Sequence, residues 1–89
     1  MRPRINSFGK ITRKELDDYL YDNYVHGFTV SIKEKTLIYS YFIMFRKTRE
    51  DPEKLFVEVS RTSKLVLNAW TDRGIKFNNI DELKKYVKK

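Results

Sequence analysis

LIYSYFIMF, residues 37–45, carries no charge in a chain of 89 residues that is 35% charged, and its apolar side chains fall on odd and even positions alike. Its Ile, Tyr and Phe content predicts a strand rather than a buried helix. In a strand, alternation splits the stretch into two rows. Leu37, Tyr39, Tyr41, Ile43 and Phe45 form one, and Ile38, Ser40, Phe42, Met44 and Arg46 form the other. Both rows are largely apolar, so both faces of the sheet need a cover, and the flanking sequence decides what is on offer.

Upstream, ITRKEL (residues 11–16) places Thr12 to cap a helix and Glu15 to return a bond to the Thr12 amide, with Ile11 and Leu16 spaced as a hydrophobic staple. Leu16, Tyr19, Leu20 and Tyr24 continue a helical stripe, and Gly27 supplies a left-handed stop, so a helix is predicted over residues 13–25. FTVSIK (28–33) alternates, with Phe28, Val30 and Ile32 opposite Thr29, Ser31 and Lys33, as a strand with one buried and one wet face. Downstream, RKTREDPEK (46–54) reads as a solvated loop turned by Asp51-Pro52. LFVEVS (55–60) and LVLNAWT (65–71) read as two further strands joined tightly by RTSK. Asn78 or Asn79 caps a second helix striped by Ile80, Leu83 and Val87. Lys84, Lys85, Lys88 and Lys89 crowd its carboxyl end, where cations complement the helix dipole.

The predicted order is α-β-β-β-β-α, and short links make the strands antiparallel neighbours. The expected fold is α+β, a two-layer sandwich in which an N-terminal and a C-terminal helix cover one face of a four-stranded meander sheet. Residues 1–10 are expected to be a basic arm and residues 11–89 one domain. The more continuous row, Leu37 to Phe45, is assigned to the helices. The Phe42 row then lies near Glu58 and Asn68, with Phe56 and Trp70 as candidate neighbours and Lys33, Arg46 and Lys64 as a cationic rim. Three covers are open for it: the chain's own arm or the segment carrying Phe77, a protein (a second copy or a different target), or stacked bases.

Composition narrows the chemistry. There is no Cys, which excludes disulfides and thiolate metal sites. The single histidine, His26, falls at the predicted end of the first helix, as a capping residue would. Glu15, Asp18 and Asp22 share one helix side and read as dipole compensation and a solvated face. The three glycines are scattered and form no phosphate loop. No enzyme activity, cofactor or metal is expected. No uncharged run approaches the roughly 20 residues of a spanning helix, and no apolar leader follows the basic start. A cytoplasmic protein is expected, in the host cytoplasm if the source is a virus.

Nineteen Lys and Arg against twelve Asp and Glu leave +7, which favours a polyanionic partner. Arg2, Arg4, Lys10, Arg13 and Lys14 precede the first acid, and the lysines of the last helix lie at the other end. Neighbouring chain ends would merge them into one patch. The candidate phosphate contacts are Arg2, Arg4, Arg13, Lys14, Lys33, Arg46, Lys84, Lys85 and Lys88, and Phe42 and Trp70 are candidates for stacking or for a partner patch. Arg46, Lys47 and Arg49 are largely neutralised by Glu50, Asp51 and Glu53. The expected function is a small non-enzymatic basic module that binds nucleic acid or a nucleoprotein. The alternative is a small viral or mobile-element protein that binds and inhibits a host macromolecule such as a nucleic-acid enzyme. A homodimer closing the open sheet face is compatible with either.

Overall fold

The computed structural model describes residues 8–24, 29–32, 36–48 and 51–87. The element order is α1 (Arg13–Tyr24), β1 (Thr29–Ile32), β2 (Ile38–Thr48), β3 (Asp51–Ser60), β4 (Val66–Thr71), β5 (Lys76–Phe77) and α2 (Ile80–Val87). The strands form one antiparallel sheet in the order β1-β2-β3-β4-β5. The fold is therefore the expected α+β meander with a helix at each end, with five strands instead of four. The fifth, β5, is two residues long, too short to leave an alternation in the sequence.

Local chemistry starts both helices. The Thr12 amide donates to Glu15 Oε1 at 3.0 Å, and the Glu15 amide donates to Thr12 Oγ1 at 3.2 Å. Two otherwise orphaned donors are satisfied reciprocally. At α2, the Glu82 amide donates to Asn79 Oδ1 and the Asn78 amide to Glu82 Oε1, both at 2.9 Å, so Asn79 is the cap. Leu16 and Leu20 of α1 and Leu83 and Val87 of α2, each one turn apart, bury their side chains in a common core.

That core lies on one face of the sheet. Tyr41 and Ile43 of β2, Leu55, Val57 and Val59 of β3, and Ala69 of β4 meet the helices there. The end of the expected arm joins them. The Phe8 amide donates to Val66 O at 3.1 Å, and Phe8 is 1% exposed. Gly9 follows with φ +97°, and a Cβ there would lie 3.2 Å from the Ile80 amide nitrogen. Glycine lets the chain turn in close against the start of α2. Residues 1–7 lie outside the described residues.

Two sequence expectations need correction. The charged stretch 46–54 is not a loop: β2 runs on to Thr48 and β3 begins at Asp51, with Thr48 paired to Asp51. Pairing between the two long strands outweighs the low strand propensity of charged residues. The ladder slips between Arg46 and Thr48, and Pro52 sits opposite Arg46 beside that irregularity, where a missing N–H costs little. Continued alternation carries Glu53, expected among solvated charges, into the core at 1% exposure. Its Oε2 accepts from Tyr86 Oη at 2.7 Å and lies 3.5 Å from Arg73 Nε, while Oε1 is buried with no partner among the described residues.

The second correction concerns β1. Register places the Val30 position opposite Phe42 and Ile32 opposite Ser40, so this row of β1 belongs to the face away from the helices. Ile32 is 45% exposed. Phe28 and Lys33 lie outside the described residues.

Candidate nucleic-acid interface

Antiparallel register aligns one residue from each strand into a row across the sheet. Opposite Phe42 stands Phe56, opposite Phe56 stands Trp70, and opposite Trp70 stands Lys76. Directly opposed residues share a face, with their Cβ atoms about 5 Å apart, so three aromatic rings meet side by side. The Phe42 and Phe56 centroids are 5.6 Å apart with planes tilted 49°, and those of Phe56 and Trp70 are 5.7 Å apart with planes within 19° of parallel. Lys54, opposite Met44 and one row along on β3, brings its Nζ to 5.4 Å from the Phe42 centroid. Phe42, Phe56 and Trp70 are partly exposed, and Lys54 and Lys76 are exposed. Neither lysine makes an ion pair among the described residues. Ser40, Glu58 and Asn68 form the next row on the same face.

Of the two candidate internal covers, the segment carrying Phe77 and the described end of the arm go elsewhere, and residues 1–7 lie outside the described residues. Phe8 and Phe77 are buried in the core on the helix side, together with Leu16 and Leu83. Among the described residues the ring row has no helix or arm over it. A two-layer fold with its helices on one side leaves the other side of the sheet to solvent or to a partner.

The charged candidates divide. Arg13 is committed internally: its Nε lies 3.3 Å from Asp17 Oδ2, Nη1 donates to Tyr39 Oη at 3.2 Å, and the guanidinium carbon sits 4.9 Å from the Tyr41 ring centroid. Buried Tyr41 completes the group by donating to Asp17 Oδ1 at 3.0 Å. Burial raises the Asp17 carboxyl above its ordinary range, against the lowering effects of the Tyr41 hydrogen bond and the Arg13 charge. The Tyr41 hydroxyl is pushed up by its burial and by the neighbouring Asp17 charge. Lys14 pairs with Asp18 at 3.1 Å across one exposed turn. Lys64, expected on the rim of the aromatic patch, instead lies by the start of α1, where its carbonyl accepts from the Arg13 amide at 2.9 Å. Thr12, Arg13, Lys14, Asp17, Asp18, Tyr39 and Lys64 together line a shallow cleft. Two carboxylates among its three cations leave little net field for an anion.

On α2, Lys84 Nζ lies 5.3 Å from the Tyr19 ring centroid, so this cation rests on α1, and Lys85 is exposed. Arg46 belongs to β2 at the Pro52 position. Arg2, Arg4, Lys33 and Lys88 lie outside the described residues. Sequence reasoning missed Lys54 and Lys76 as partners of the rings. One sat in an expected loop, and the other lies on a strand too short to recognise. The signal that could have found them was the equal spacing of Phe42, Phe56 and Trp70 about the two connections.

Among the described residues no group of His, Cys, Asp and Glu side chains is arranged to hold a metal ion, and no helix is long and apolar enough to cross a membrane. No protein-family model, no curated protein and no solved structure matches this chain.

Proposed function

We propose that this domain is a non-enzymatic nucleic-acid-binding module that takes single strands on the open face of its sheet. The observation that carries the reading is the Phe42–Phe56–Trp70 row with Lys76 opposite Trp70 and the Lys54 ammonium against the Phe42 ring. Aromatic side chains next to unpaired cations suit a single strand, because bases stack on rings and phosphates meet ammonium groups. Each stacked base contributes ~1–3 kcal/mol. The net charge of +7 adds a long-range attraction for any polyanion. A protein target would also be met by rings, as an apolar hot spot. The cations beside the row and the overall charge favour the nucleic acid.

Gel retardation with matched single- and double-stranded DNA and RNA at low salt tests the reading. Single strands are expected to bind more tightly than duplexes, whose bases already stack on each other, and affinity is expected to fall steeply with salt as counterions are released. Absence of any retarded complex at low salt refutes it. So does a protein partner from lysate that survives nuclease treatment and cannot be displaced by a single strand.

A further inference from the structure

The ring row has two unlike ends. At the β2 end the Phe42 ring has Lys54 Nζ 5.4 Å from its centroid and the Phe56 ring at 5.6 Å. Phe56 is flanked in turn by Trp70, whose plane is within 19° of parallel to it. Trp70 thus gives one side to Phe56, and its other side looks toward β5. That strand is two residues long, and the residue it pairs with Trp70 is Lys76, which is exposed and makes no ion pair among the described residues. Two residues back along β4, on the same face, stands exposed Asn68. Its Oδ1 accepts from the Ala69 amide at 3.0 Å, which leaves its amide nitrogen as a donor.

We infer that the outer side of Trp70 is the seat for one base of a bound single strand, with Lys76 as its phosphate contact and Asn68 as a hydrogen-bond donor to the same nucleotide. The inference rests on the single-strand reading above and deepens it by choosing one end of the row. The physical reason is charge and the fact that, among the described residues, Phe56 is the one ring stacked on Trp70. A base can stack only where a ring side is not already covered; Phe56 has a ring on either side, and Phe42 has Lys54 over it and the Val30 position of β1 opposite it. The cleft beside α1 is a poorer seat for a phosphate because Asp17 and Asp18 share it. The remaining two rings then act as a support that holds the indole upright.

The chain's one tryptophan is its own reporter. The full chain is titrated with an oligothymidylate of ~10 nucleotides, a length within the site sizes of single-strand binders. In parallel it is titrated with inorganic polyphosphate, which carries the charge without bases, and binding is followed independently by anisotropy of a labelled oligonucleotide. Saturable quenching of Trp70 emission by the oligonucleotide, with no comparable quenching by polyphosphate, is the expected result. Trp70→Ala is expected to weaken binding ~10-fold or more, the equivalent of one lost stack. Lys76→Glu, at an exposed position that leaves the core untouched, is expected to weaken it several-fold with an unchanged melting curve.

Binding that leaves Trp70 emission unmoved overturns this seat and leaves single-strand binding standing, as does a Lys76→Glu variant that binds like the parent. Equal quenching by polyphosphate also overturns it, since charge alone then suffices. No binding of any oligonucleotide overturns both the seat and the nucleic-acid reading, and leaves the ring row to a protein partner.

Discussion

Tyr86→Phe removes one oxygen, and the structure predicts a large loss of stability from it. Tyr86 Oη donates to Glu53 Oε2 at 2.7 Å, and Glu53 is 1% exposed with its Oε1 unpartnered among the described residues. A hydrogen bond to a buried charged group contributes about 1.5–3 kcal/mol. A second contact to Oε2, Arg73 Nε at 3.5 Å, comes from a side chain that is 44% exposed, and an exposed pair contributes little in place of it. A loss of ~2 kcal/mol is expected. Spread over an unfolding entropy of about 2.1 cal/mol/K per residue, that lowers Tm by ~11 °C for a chain of this length. Glu53→Met, by contrast, removes the buried carboxylate together with its orphan oxygen while keeping the side-chain length. Replacing a buried charge by an apolar group of similar volume is often neutral or stabilising. This variant is expected within about 1 kcal/mol of the parent or above it. In the Glu53→Met background the tyrosine hydroxyl has no carboxylate to serve, so adding Tyr86→Phe is expected to cost less than ~0.5 kcal/mol. Urea denaturation of the four proteins, followed by circular dichroism, closes the cycle. Additive losses, with Glu53→Met itself costing ~3 kcal/mol, would overturn this account and make the carboxylate a net stabilising group.

Three further outcomes follow from named contacts. Lys54→Glu with Lys76→Glu is expected to flatten the dependence of log affinity on log salt for a single strand by about 1.4, at roughly 0.7 per phosphate contact, measured by anisotropy across a salt series; an unchanged slope removes both lysines from the interface. Thr12→Ala breaks the reciprocal cap of α1 and is expected to cost ~1 kcal/mol, read as a lower urea midpoint; an unchanged midpoint would show that the cap adds nothing. Asp17 has a folded pKa above its ordinary 3.8. Its contribution relative to Asp17→Asn is therefore fully present below about pH 4 and lost as pH rises through the raised value. Urea midpoints of both proteins at stepped pH values check the sign, and a difference that grows in favour of aspartate with rising pH would contradict it.

Features built from neighbours in the chain were legible in the sequence. The Thr12–Glu15 cap, the Leu16–Leu20 and Leu83–Val87 stripes, and the two rows of β2 each depend on spacings of two to four residues, which alternation and the helical turn impose directly. Features built from register were not. Phe42, Phe56 and Trp70 are separated by 14 residues at each step, and whether they meet depends on how β2, β3 and β4 slide past one another. The same register carried Glu53 into the core and turned Ile32 outward. Arg13 is a third kind of case. Its position in a basic segment suggested a phosphate contact, and only the packing of α1 on β2 brought Tyr39, Tyr41 and Asp17 around its guanidinium.

Residue order was enough to specify a basic α+β domain with a helix at each end and one strand too apolar for a single covered face. Which face the two helices left uncovered, which rings gathered on it, and which cations stood beside them emerged only when the strands were laid side by side. The division has a physical cause. Secondary structure follows from bonding within a few residues, whereas a surface is assembled by pairing distant strands, and a slip of one residue would send every side chain of that row to the other face.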